Sequence, residues 1–285
     1  MLQPMTKLLQ KARKYKYAIP QPDFVHLGMA AAYLEAAARR RAPIILGFGE
    51  DYIDASEAVD LRHLVQMCEV LVSRYDVPVV LHLDHGSSYE ACAKAINAGF
   101  SSVMIDGSAL SFDDNVRLTK EVVDLAKISG VSVEGEIGRL KTGAGYELAE
   151  GDKQVLTDPA VASEFVKQTG VDALAVSIGT VHGEYRGKPN INIDLLCRIN
   201  EAVGIPLVLH GASGTDHNTL KACVQEGITK VNIYTDLAKA INQTVKEKHE
   251  RVDYVQIPEA LQDIREVTVD KLSTFIDVLG SAGNA

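Results

Sequence analysis

Apolar positions along the chain follow two alternating rhythms. Short runs rich in Val, Ile and Leu fall at YAIP (17–20), APIILGF (42–48), PVVLHLD (78–84), SSVMIDG (101–107), VSVEGEI (131–137), ALAVSIG (173–179), PLVLHG (206–211) and KVNIYT (230–235), and read as strands. Between them lie longer stretches with helical spacing, such as AAAYLEAAARR (30–40), LRHLVQMCEVLVSRY (61–75), DDNVRLTKEVVDLAKIS (113–129) and IDLLCRINEAV (193–203), mostly closed by Gly or by a Pro-led strand. Strand and helix alternating in this way are the pattern of a parallel sheet with crossover helices. Eight such units with no break in composition predict one α/β domain over 1–285, a closed (β/α)8 TIM barrel rather than an open doubly wound sheet, which normally uses fewer strands. The stretch PEALQDIREVTVDKLSTFIDVLG (258–280) adds a C-terminal helical extension.

Two segments break the rhythm. GRLKTGAGYELAEGDKQ (138–154) and GTVHGEYRGKPNIN (179–192) are polar and Gly-rich, and both follow strands at the C-terminal mouth of the predicted barrel. Loops this long in a compact domain usually cover a ligand, which makes them candidate lids.

That mouth is where barrel enzymes keep their chemistry. Asp84 and His85 end the third strand, Asp106 the fourth, and Glu134 and Glu136 lie on the fifth; His182 follows the sixth, His210 ends the seventh and Asn232 lies in the eighth. His85, His182 and His210 form the natural metal set, because three neutral imidazoles leave a fourth position open on zinc. The plainer alternative is that each satisfies local hydrogen bonds. Asp84 beside a ligand could move a proton, or serve in a salt bridge or as a helix cap. Glu136 is either a further metal ligand or its supporting partner. His82 shares a strand face with Asp84 and could orient a ligand or simply be a satisfied interior residue. His26, His63, His217 and His249 fall in helical patterns and read as surface or packing residues. HGASGTD (210–216) and NIYTD (232–236) place Gly, Ser and Thr at helix starts after the seventh and eighth strands, where barrels often hold phosphate; with Gly183 they form a candidate anion site, against the alternative of plain capping by Ser213, Thr215 or Thr235.

Composition narrows the partners. With 46% hydrophobic and 24% charged residues in 285, the chain has ample material for a core. A formal net charge of −9 and an isoelectric point near 5.4 have the wrong sign for a nucleic-acid partner, so a small molecule is expected. Cys68, Cys92, Cys197 and Cys223 are scattered, which suggests no thiolate cage or disulfide framework and fits a reducing cytoplasm. MLQPMTKLLQKARKYK has no continuous apolar core, and no long apolar run follows, so neither export nor a membrane span is expected.

LHLDHG, VMIDGS, VEGEIGRL, AVSIGTVHGEY, PLVLHGASG and KVNIYTD occur in an order, and on strands, that closely resemble the class II zinc-dependent ketose-bisphosphate aldolases, the fructose- and tagatose-bisphosphate enzymes among them. The resemblance covers nearly the whole chain. It implies a Zn2+ ion on His85, His182 and His210, with Asp84 exchanging a proton with the aldehyde-derived oxygen. It also implies a dihydroxyacetone phosphate site at Gly183, Gly211, Ser213, Asn232 and Thr235, a Na+ or K+ ion near that phosphate, and a homodimer or homotetramer. The implied reaction is reversible cleavage of a ketose bisphosphate into dihydroxyacetone phosphate and an aldehyde; the alternatives are an aldolase for a different aldehyde or a non-catalytic sugar-phosphate sensor.

Four positions depart from the family pattern. Gln21 aligns with a usual Asn and Gly49 with a usual Ser, both on the aldehyde half of the site, and Tyr234 stands where Asp is frequent. Ala144 falls where the loop after the fifth strand normally carries a catalytic Glu, which leaves Glu147 as the hypothesised replacement and Glu150 as a second option. A Schiff-base aldolase is disfavoured because the sixth strand has no Lys and Lys230 begins the eighth at the opposite end. A zinc amidohydrolase is disfavoured because the first strand has no H-x-H pair.

Overall fold

In the computed structural model, which describes residues 1–52, 60–138, 141–142, 155–183, 189–251 and 254–285, each of the eight sequence patterns forms a strand. They are β1 (Ile19–Pro22), β2 (Ile44–Gly49), β3 (Val79–Gly86), β4 (Ser102–Ile105), β5 (Ser132–Ile137), β6 (Ala173–Val176), β7 (Leu207–Leu209) and β8 (Ile228–Ile233). All pair in parallel in the order β1-β8-β7-β6-β5-β4-β3-β2. Strand ends differ from the sequence pattern by up to three residues; β6 stops at Val176 and β8 starts at Ile228. The seam between β1 and β2 is thin. Pro20 and Pro22 remove two N–H donors from one edge of β1, and the barrel closes instead through the Asp23–Gly47 bridge and a 2.9 Å bond from Phe24 N to Gly47 O.

The crossover helices are α2 (Leu27–Arg40), α3 (Leu61–Val72), α4 (Tyr89–Ala98), α5 (Phe112–Ser129), α6 (Pro159–Thr169), α7 (Ile193–Val203), α8 (His217–Gln225) and α9 (Thr235–Arg251), with α1 (Met5–Tyr15) before the first strand. Asp60, Ser88, Ser111, Asp158, Asn192 and Asp216 cap helix starts with their side chains. Gly99, Gly130, Gly170 and Gly204 end four of the helices in the left-handed conformation. The C-terminal extension is α10 (Ile257–Val278), which lies on α2 and is pinned by Arg265–Glu35 at 2.5 Å and Arg40–Asp277 at 3.0 Å. No helix among the described residues is long and apolar enough to cross a membrane.

Strand alternation sorts the core into an outer and an inner part. Leu81 and Leu83 of β3 pack outward with the helices, whereas Val80 faces inward. Val80, Ile19, Ile45, Ala175 and Val208 make an apolar floor at the N-terminal end of the barrel, which α1 plugs with Met5, Leu8, Leu9 and Ala12. Thr6 fixes the plug, its N and Oγ1 lying 3.0 and 2.7 Å from Ser132 Oγ. Above the floor the interior turns polar. Gln21, His82, Glu134 and Lys230 are all fully buried. Lys230 is the third residue of β8, in register with Ile19 and Val208, and its side chain reaches inward to place Nζ 2.8 Å from Glu134 Oε2. The sequence pattern, which set Lys230 at the start of the strand, gave no sign of this inward reach.

Two substitutions probe the interior. Leu9→Ala should cost about 2–4 kcal/mol in chemical denaturation; a loss below about 1 kcal/mol would mean that α1 does not plug the floor. Lys230→Met leaves the Glu134 carboxylate buried without its ammonium and should cost about 3–5 kcal/mol at neutral pH, with an unchanged midpoint counting against the pair.

Candidate active site

The tip of β3 breaks strand alternation, and that break makes the site. Asp84 faces inward with Val80 and His82, so His85 would ordinarily face out toward the helices. Instead His85 adopts φ = 50°, the left-handed region that non-glycine residues seldom occupy, and the β3–β4 register shifts between Leu83 and Gly86. The imidazole thereby joins Asp84 at the mouth. A backbone in this region costs on the order of 1–3 kcal/mol and is found mainly where function demands it.

Three imidazoles meet there. The ring centroids of His85 and His210 are 4.7 Å apart, those of His85 and His182 5.1 Å, and those of His182 and His210 5.8 Å. One nitrogen from each lies within 4.8 Å of the others. His85 Nε2 and His210 Nδ1 face each other at 3.0 Å, while the far nitrogen of each is held by a carboxylate: His85 Nδ1 by Asp106 Oδ2 at 2.9 Å, and His210 Nε2 by Glu134 Oε1 at 2.9 Å. Carboxylates on the outer nitrogens leave the inner nitrogens to donate lone pairs to a common point, the donor set a divalent metal needs. Glu136 stands apart from His182 and His210. Among the described residues it joins only His85 and Asp106 in a second group whose ligand atoms also lie within 4.8 Å, and its buried Oε2 has no hydrogen-bond partner among them.

Charge in this region is tightly set. Burial alone would depress the His85 imidazolium, but the carboxylates of Asp84, Asp106 and Glu136 outweigh it and push the pKa up to about 10. The surroundings thus favour a positive charge between the rings, whether proton or metal ion. Burial pushes His182 down to about 3 and lowers His210. Burial would raise Asp84, yet His85, Lys230 and His210 hold it far below the usual carboxylate range, so it stays ionised. For Glu134, burial is again overcome, chiefly by Lys230, and its pKa falls to about 2. Burial and the nearby Asp106 push Glu136 up to about 8. His82, lowered by burial to about 3, sits beneath with Nδ1 2.8 Å from Ser102 Oγ and Nε2 3.8 Å from both Asp84 and Glu134.

One cavity at the mouth gathers most of the expected residues: Asp84, His85, His182, Gly183, Gly211, Ser213, Asn232 and Thr235. Gly211 has φ = 65°, and a Cβ there would meet Val181 O at 2.3 Å. Ser213 Oγ accepts from Asp236 N at 3.2 Å and Gly214 N donates to Asp236 Oδ2 at 3.1 Å, which ties the loop after β7 to the first turn of α9. Asn232 Nδ2 donates to both Asp84 oxygens, at 3.1 and 3.3 Å. Glu136 does not line this cavity.

The structure differs from the sequence expectations in several places. Gln21, aligned with a substrate-contacting Asn, lies fully buried below the cavity; Asp23, two residues on and on the same strand face, lines it. Period-two alternation gives that face but not how far up the wall it opens. The two polar segments begin with a short ladder, Lys141–Thr142 beside Val181–His182, because they leave neighbouring strands side by side. Glu147, Ala144 and Glu150 lie outside the described residues, as does the side chain of His249. His26 caps α2 by accepting from Gly28 N rather than sitting within the helix, His63 is exposed on α3, and His217 packs edge-on to Phe275. Sequence reasoning missed Asp23 as a wall residue and Lys230 as a partner of the site, and neither carried a signal of its role.

Over residues 3–284 the chain matches the family model described as fructose-bisphosphate aldolase class-II. It is 38% identical over 281 residues to a probable fructose-bisphosphate aldolase of Bacillus subtilis (strain 168), with 95% of this chain and 96% of that one covered. It is also 38% identical over 289 residues to a 6-phospho-5-dehydro-2-deoxy-D-gluconate aldolase of Bacillus licheniformis, with 99% and 96% covered. Among solved structures, the YdjI aldolase of Escherichia coli K12 matches with a TM-score of 0.88 and 33% identity over 100% of both chains. The chain belongs to the class II fructose-bisphosphate aldolase family.

Proposed function

We propose that this aldolase reversibly cleaves a phosphorylated ketose into dihydroxyacetone phosphate and an aldehyde, with zinc on His85, His182 and His210. The observation that carries the reading is the convergence of three imidazole nitrogens within 4.8 Å of one another, beside an ionised Asp84, at one barrel mouth. Zinc held by these three residues would supply Lewis acidity that stabilises the negative charge developing as the bond breaks.

The chain's own residues do the rest. Asp84 takes the proton of the C4 hydroxyl as the C3–C4 bond breaks, and the electron pair passes through C3 to the C2 oxygen as an enediolate. The aldehyde leaves, C3 takes up a proton, and dihydroxyacetone phosphate departs, so the reaction balances without an oxidant or reductant. Asn232 orients Asp84 through its two contacts. Gly183, Gly211, Ser213 and Thr235 hold the phosphate, with backbone N–H groups and the start of α9 favouring an anion. Asp106 and Glu134 fix the rings of His85 and His210 in the orientation that offers their inner nitrogens.

Coupled detection of dihydroxyacetone phosphate from fructose and tagatose 1,6-bisphosphates and from ketose 1-phosphates tests the reading. Asp84→Asn should lower kcat by about 10²–10⁴-fold, and chelation should abolish turnover that added zinc restores; chelator-resistant cleavage would remove the metal from the proposal. Asp106→Asn should weaken zinc binding by about 10–100-fold in calorimetric titration, and unchanged affinity would show that Asp106 does not support the ligand.

A further inference from the structure

The two ends of the cavity differ in charge. Toward β6, β7 and β8 it is lined by the small residues Gly183, Gly211, Ser213 and Thr235, beside the first turn of α9, where Asp236 accepts from Gly214 N. Toward β1 and β2 it is lined by Asp23, Glu50 and Asp51, with Asp84 between the ends; burial and the neighbouring Asp84 raise Asp23 well above the usual carboxylate range, so the negative charge of this end rests on Glu50 and Asp51. Among the described residues, no Lys or Arg lines it. Lys230, inside the barrel, is already committed to Glu134.

These acidic side chains are built into the wall. Glu50 accepts hydrogen bonds from Ser87 N and, at 3.1 Å, from Ser87 Oγ, and its own N donates to Asp84 O at 3.2 Å. Asp23 accepts from Tyr33 Oη on its carbonyl at 2.9 Å and from Gln21 Nε2 on Oδ1 at 3.2 Å. Gly47 makes room for it, since a Cβ there would come within 1.9 Å of Asp23 Oδ1. Tyr52 and Tyr234 also line the cavity, their ring centroids 6.5 Å apart, and add aromatic surface beside the carboxylates.

An anionic group entering this end meets like charge, whereas hydroxyl groups can donate to the carboxylates and C–H faces can lie on the tyrosine rings. We infer that the aldehyde half of the substrate is an uncharged hydroxyaldehyde, so that the ketose cleaved carries one phosphate, on its dihydroxyacetone end. The inference rests on the aldolase reading above and specifies its substrate class. It separates this chain from an enzyme for a bisphosphate and from one whose aldehyde bears a carboxylate.

The test uses the zinc-loaded full chain with dihydroxyacetone phosphate and three aldehydes: glyceraldehyde, glyceraldehyde 3-phosphate and malonate semialdehyde. Exchange of the C3 proton of dihydroxyacetone phosphate with deuterated solvent, which needs no aldehyde, is followed in parallel by NMR. Aldol addition to glyceraldehyde should exceed addition to either anion by about a hundredfold in kcat/KM, with the gap narrowing as salt is raised. Asp51→Lys should narrow the preference over glyceraldehyde 3-phosphate by about tenfold. Exchange together with equal or better use of an anionic aldehyde would overturn this inference and leave the aldolase reading intact. An absence of exchange would remove both.

Discussion

Charges buried in the barrel have to neutralise one another, because each would otherwise forfeit its hydration with nothing in return. The interior meets this requirement with a connected chain of groups. The Lys230 ammonium lies against Glu134, Glu134 holds His210, His210 faces His85, and His85 is held by Asp106. Asp84 borders the chain with Asn232 on both of its oxygens and His82 beneath. Lys230 also keeps Glu134 ionised, and an ionised Glu134 keeps His210 oriented. A group deep in the barrel therefore influences the geometry of the mouth through two contacts.

The rest of the fold isolates this polar column. Helix α1 and the apolar floor seal it from below, and the outward-facing residues of each strand pack under the crossover helices. Only the C-terminal end is left open. Rigid packing on all other sides allows the left-handed backbone at His85 to persist, since the cost of that conformation is spread over contacts that fix β3 on both sides.

The mouth is asymmetric, and the asymmetry follows from chain topology. The loops after β7 and β8 lead into α8 and α9, and they are joined through Ser213, Gly214 and Asp236. Small residues and two helix starts therefore lie on that side. The end of β2 runs instead into Glu50, Asp51 and Tyr52, which puts carboxylates and an aromatic ring on the other. The chain belongs to an aldolase family, and the proposed discrimination between aldehydes falls to the acidic wall of the cavity.

By itself the sequence determined the order of eight strands, the helices between them, and the address of His85, His182, His210 and Asp84 at strand ends, because periodicity and βα alternation are local properties of the chain. It aligned Gln21 with the aldehyde half of the site and gave no place to Asp23. Only the tertiary structure decided that His85 turns back beside Asp84, that Lys230 reaches Glu134, and that Asp23 forms the wall. Each of those outcomes depends on register between strands distant in sequence and on the length of side chains crossing a closed interior, and a periodic pattern along one strand carries neither.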